Sequence, residues 1–225
     1  MSVLCTVCRS SIVKKWLVAL TGLVMVGFLV GHMAGNLQLF LGRGPTVETT
    51  KINEYAAFIK GNPLLLWGTR VTLLVAVLIH IVTTISLTRQ NKLARPQAYE
   101  MRKSVASSLA SRTMIFGGMF ILFYIIYHLL HFTLGAVHTE LYAYPDVYQM
   151  MVSSFQVPLI SAIYILGQIA LFFHLTHGIS SAGETLGVSH PRYRACLDRA
   201  GVGLALVICG GFVSIPVAIL AGLIS

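Results

Sequence analysis

Five long apolar runs alternate with short polar segments along the chain, near 12–40, 63–88, 113–137, 155–182 and 200–224. A helix that crosses a bilayer needs about 20 mostly apolar residues, so each run is long enough. Together they predict an all-α membrane bundle of five transmembrane helices, forming a single domain over 1–225. Ser10 and Ser11 are N-cap residues for the first run, and Gly42 with Gly44-Pro45 stops it. The segment 45–62 is polar, but 52–59 (INEYAAFI) has helical spacing and predicts a short amphipathic helix lying in the interface. Gly61-Asn62-Pro63 opens the second run. Loop 138–154 carries Tyr142, Tyr144 and Tyr148, which read as interfacial aromatics. Pro158 falls in the first turn of the fourth helix, where proline is tolerated, and Pro216 predicts a kink in the fifth.

Composition narrows the class. Of the 225 residues, 56% are hydrophobic and only 10% charged, far from a soluble globular domain. Little remains outside the runs, which leaves no room for a soluble catalytic domain. Any chemistry must sit in the bundle or belong to a partner subunit. Arg9, Lys14 and Lys15 precede the first run as in a signal peptide. That run continues to about Phe40, however, whereas a signal core spans only about 7–15 residues, so an uncleaved first span is expected.

The net charge of +9 describes topology rather than nucleic-acid binding. One set of flanks and loops holds Arg9, Lys14, Lys15, Arg89, Lys92, Arg95, Arg102, Lys103, Arg112, Arg192, Arg194 and Arg199. The other holds only Arg43, Lys51, Lys60 and Arg70. By the positive-inside rule the N-terminus is expected in the cytoplasm and the C-terminus outside. Cys5 and Cys8 form an isolated C-x-x-C without a second pair nearby, which reads as inert thiols rather than zinc ligands. Cys209, inside the fifth run, reads as packing.

Four of the runs each contain a histidine well inside them: His32, His80, His128 and His174. Ionisable side chains in a membrane are costly and usually functional. His32 and His128 lie late in outward-running spans, and His80 and His174 lie late in inward-running ones. The four therefore divide by depth into an outer pair and an inner pair, roughly 10–20 Å apart given the helical rise. A b-type haem takes one imidazole on each face, from facing helices, and six-coordination suits electron transfer. A lone histidine in a span is often just a hydrogen-bonded polar residue, but four at matched depths favour two bis-histidine haems. No aspartate or glutamate lies deep in any run, which disfavours another metal site and a proton-relay transporter.

Other residues admit two readings. His131 and His177 follow His128 and His174 by three residues, sharing a helix face, where they could meet propionates or a quinone at a haem edge. Gly22, Gly27, Gly31, Gly35, Gly117 and Gly118 offer either room for a flat macrocycle or close helix packing. Arg70, Arg112 and Lys15 could pair with propionates or anchor the interface.

The segments GHMAGNLQLFLG (31–42), LIHIV (78–82), RQNKLARP (89–96), SRTM (111–114), YHLLHF (127–132) and HLTHGISSAGETLGVSHPRY (174–193) resemble a known family. It is the single-chain, five-helix, two-haem cytochrome b anchor of succinate:quinone oxidoreductases and quinol:fumarate reductases. The resemblance covers nearly the whole chain. It implies that His32 and His128 ligate an outer haem b, and His80 and His174 an inner one. It also implies a flavoprotein and an iron–sulfur subunit on the cytoplasmic face, with electrons passing to or from a quinone in a cell inner membrane. The anchor would not itself catalyse dicarboxylate chemistry. Some members hold a menaquinol site near the outer haem with a glutamate as proton acceptor; Glu54, or else Glu48, is the candidate here. Some carry a glutamate two residues before the fourth ligand, where this chain has Phe172, so that proton route is in doubt. The alternatives are a di-haem cytochrome b of hydrogenase or formate dehydrogenase type, and a haem-free proton-coupled transporter.

Overall fold

The computed structural model describes residues 10–94, 109–188, 190 and 192–225; for 109–113 only the backbone is described. The readings on Cys5 and Cys8, and on the side chain of Arg112, fall outside that description. Seven α-helices follow one another, with no strand among the described residues. They are α1 (Ser11–Asn36), α2 (Lys51–Gly61), α3 (Pro63–Leu93), α4 (Leu109–His128), α5 (Val147–Phe155), α6 (Pro158–Thr185) and α7 (Arg194–Leu220). A 3₁₀ turn, Leu37–Leu41, extends α1, and a π-helical turn, Leu129–Thr133, extends α4. Five helices are long and apolar enough to cross a membrane: Ser11–Leu41, Pro63–Leu93, Met114–Thr133, Pro158–Thr185 and Arg194–Leu220.

The helix boundaries follow local chemistry. The Ser10 hydroxyl accepts from the Val13 amide, and the Asn62 carbonyl oxygen accepts from the Leu65 amide at 3.1 Å, with Pro63 starting α3. Both satisfy amides that a helix start leaves unpaired. Gly42 ends the 3₁₀ turn at φ 78°, a conformation that strains any residue with a Cβ. The helix expected over 52–59 is present as α2. Pro216 sits inside α7 without ending it.

Two expectations for 138–157 need correcting. The fourth run does not begin at 155. It begins at Pro158, and the end of the expected loop 138–154 folds as α5, capped by Asp146, whose carboxylate accepts from the Gln149 amide at 3.0 Å. Pro158 forces the break: the residue before a proline is driven out of helical conformation, and Val157 is extended. Tyr148 is not an interfacial aromatic. It lies on the inward face of α5 and is buried with Leu39, Ile52, Met151, Phe155, Ile160, Tyr164, Ile215 and Ile219. Tyr144 does remain exposed. The Lys60 ammonium rests 3.2 Å from its ring centroid. Desolvation there, and then the positive charge of Arg70, hold Lys60 below the ordinary lysine range.

A polar clamp fixes this end of the bundle. Arg43 donates to Asp146 (2.9 Å) and to Gln149 (2.8 Å). Buried Asn53 donates to the Val47 carbonyl and to Asp146, and accepts from the Tyr148 amide. The chain after α1 is thereby tied to α2 and α5.

Packing among the spans is uneven. α6 is central, contacting α7, α4 and α1, while α3 packs mainly on α1. The apolar stretches of α6 and α7 are 39% buried, those of α1, α3 and α4 only 6–11%. The latter expose Leu23, Leu74, Val75, Phe116 and Phe123, side chains that suit a hydrocarbon surround.

Candidate cofactor site

His32 on α1 and His128 at the end of α4 bring their rings to 5.8 Å between centroids, with planes at 79°. His80 on α3 and His174 on α6 come to 6.3 Å, with planes at 57°. The couples are the ones matched by depth. The helices that carry each couple, α1 with α4 and α3 with α6, make at most marginal backbone contact. The imidazoles meet across a gap that the helices do not close.

The separation of the two couples can be read along two helices independently. His80 lies beside Gly22 on α1, where a Cβ would stand 3.6 Å from the ring. Gly22 precedes His32 by ten residues, a rise of about 15 Å. His174 lies beside Gly118 on α4, at 3.7 Å. Gly118 precedes His128 by ten residues, again about 15 Å. Both helices thus place one couple a similar distance above the other.

The surroundings of the two couples differ. His32 stacks on Phe28 (5.2 Å, 13°) and touches Phe212; His128 meets Tyr124, Phe132 and Tyr164. The outer couple is walled by aromatic rings. The inner couple is flanked by the two glycines and by Thr21, whose hydroxyl oxygen is 3.1 Å from His80 Nδ1.

The neighbouring histidines have other surroundings. His131 is almost fully buried, with Nδ1 at 3.0 Å from the Tyr164 hydroxyl and Nε2 at 3.2 Å from the Ser154 hydroxyl. It has no ring nitrogen left for a haem edge. The π-helical turn that begins at Leu129 widens the helix and changes the face on which residues three apart fall. His177 is half-buried, and it is His174 whose ring meets His80. Glu54 stands exposed on α2 with Lys51 at 2.8 Å, and Glu48 is exposed. Arg70 is exposed over Trp67, and Lys15 is exposed. Phe172 packs against the Leu171–Ile208 cluster.

The glycines divide as well. Gly22 and Gly118 clear the inner couple. Gly35 makes room for Tyr55, which a Cβ would strike, so there the packing reading holds. Gly27, Gly31 and Gly117 have open space beside them. Thr21, Tyr164 and Ser154 are additions that sequence reasoning missed. A single hydroxyl carries no periodic signal, and Thr21 meets His80 only through the register of α1 on α3.

Two observations test whether a porphyrin fits. With metal–imidazole bonds of about 2 Å, an iron between two opposed imidazoles sets ring centroids about 6 Å apart; both couples match. Among the described residues no cluster of three or more His, Cys, Asp or Glu is arranged to hold a bare metal ion. Two ligands alone suit an iron whose other four positions are filled by a macrocycle. The residues fit the group. Comparison with family models, curated proteins and solved structures finds no match.

Proposed function

We propose that this chain is the membrane-anchor cytochrome b subunit of a succinate:quinone oxidoreductase or quinol:fumarate reductase, set in a cell inner membrane. In this reading His32 and His128 hold an outer b haem, and His80 and His174 an inner one. The observation that carries it is the pair of imidazole couples, stacked about 15 Å apart by the helical rise, with no group of three or more His, Cys, Asp or Glu to hold a metal ion among the described residues.

Haem, when bound, supplies one-electron redox chemistry; the protein supplies ligation, orientation and dielectric. His32 with His128, and His80 with His174, would hold one iron each, and a two-histidine donor set would favour electron transfer over oxygen binding. The aromatic wall around His32 and His128 excludes water from the outer level. Gly22 and Gly118 keep bulk away from His80 and His174. A flavoprotein and an iron–sulfur subunit would dock on the cytoplasmic face, and membrane quinone, menaquinone in particular, would exchange electrons with the chain. Glu54 is the proposed proton acceptor for quinol.

The purified membrane protein is expected to show reduced-minus-oxidised b-type bands and two haems per chain by pyridine haemochromogen assay. A featureless spectrum would sink the reading. The partner assignment is tested separately: succinate added to membranes holding the assembled complex should reduce the haem bands, and bands that respond only to dithionite would refute it.

A further inference from the structure

The two ligands of the inner couple are held differently. Nδ1 of His174 has no hydrogen-bond partner, whereas Nδ1 of His80 lies 3.1 Å from the Thr21 hydroxyl. A threonine hydroxyl has one proton to give, and Thr21 gives it to the Leu17 carbonyl at 2.6 Å, one turn back on α1. Its oxygen is then an acceptor toward His80. The Val18 carbonyl, 3.2 Å from the same hydroxyl, also can only accept. With its proton committed to a backbone carbonyl, Thr21 accepts from the ring, which puts the His80 proton on Nδ1 and the lone pair on Nε2.

We infer that Thr21 is a positioning residue for the inner haem: it fixes the tautomer and rotation of His80 and makes its Nε2 a stronger donor. The inference rests on the proposed haem ligation by His80 and His174. A hydrogen bond accepted from the far ring nitrogen raises the basicity of a ligating imidazole. A stronger donor favours ferric over ferrous iron, so Thr21 lowers the potential of the inner haem relative to the same site without it. The outer couple is about three turns away along α1 and is not affected by this bond.

The test uses the full chain in its membrane complex, with Thr21→Val, Thr21→Ser and Thr21→Ala. Haem content is counted first, and the midpoint potentials of the two components are then followed optically. His80→Ala identifies which component is the inner one. Thr21→Val is expected to retain two haems and to shift the inner component upward, with the outer one unmoved; Thr21→Ala should do the same, and Thr21→Ser should restore the wild-type value. Loss of the inner haem alone in Thr21→Val, with retention in Thr21→Ser, also supports the inference, and the outer signal in the same sample reports that the bundle is intact. If both components stay put in Thr21→Val and Thr21→Ala, or Thr21→Ser shifts as far as they do, the inference is overturned while the haem reading stands. A wild-type chain without haem at His80 overturns both.

Discussion

The outer and inner histidine couples use the same two side chains per site but different walls. Phe28, Phe212, Tyr124, Phe132 and Tyr164 surround His32 and His128, contributed by α1, α7, α4 with its π-helical turn, and α6. Gly22, Gly118 and one threonine border His80 and His174. Aromatic rings contribute large apolar surface and fixed geometry; glycines contribute clearance. The outer site is defined by what packs around it, and the inner site by what is kept small beside it. Substitutions should therefore separate the two.

The largest effect is expected from the four paired histidines, the proposed haem ligands. His80→Ala or His174→Ala should halve the haem count per chain, as should His32→Ala or His128→Ala, with a different spectral component lost in each case. His177→Ala should keep both haems. Loss of a haem in His177→Ala with retention in His174→Ala would reverse the assignment of the fourth ligand.

Next come the glycines. A Cβ at Gly22 or Gly118 stands at ordinary contact distance from His80 or His174, so alanine should be accommodated. Gly22→Leu and Gly118→Leu should displace those rings and cost the inner haem while sparing the outer one, read by the same haem count. Loss of the outer component instead would break the contrast between the two sites.

Asn53→Ala should leave both spectra unchanged but weaken the clamped end of the bundle. It strands the Tyr148 amide and removes two donated bonds, a cost of about 2 kcal/mol. Thermal unfolding in detergent measures it. Tyr164→Phe should cost about 1 kcal/mol through the lost bond to His131. It keeps the ring beside His128, so both haems should remain. A haem lost from Tyr164→Phe would show that the hydroxyl, and not the aromatic wall, supports the outer site.

The five spans were readable in the sequence because lipid demands a long apolar run for each crossing, and no other fold needs five of them. The pairing of the histidines by level was readable because helical rise converts position along a run into depth. The surroundings were not. α5 was hidden because Val147–Phe155 is only nine residues long, too short for a crossing, and falls in the segment 138–154 that reads as a loop; the rule on the residue before Pro158 marks its end. Tyr148 was misplaced for the same reason. His131 was assigned the face of His128 on ordinary helical geometry, which the π-helical turn invalidates. Thr21 depends on a contact between residues 59 positions apart, which periodicity within one helix cannot reveal.

The couples are interleaved: the first long span meets the third, and the second meets the fourth. Neither is formed by consecutive crossings, so no helical hairpin leaving a translocon carries a finished couple. The upper set is complete once three crossings are in place, the lower only after four. Chains shortened after Thr133 would hold one complete couple, and chains shortened before α4 would hold none, which makes the order of insertion the order in which the histidine couples are completed.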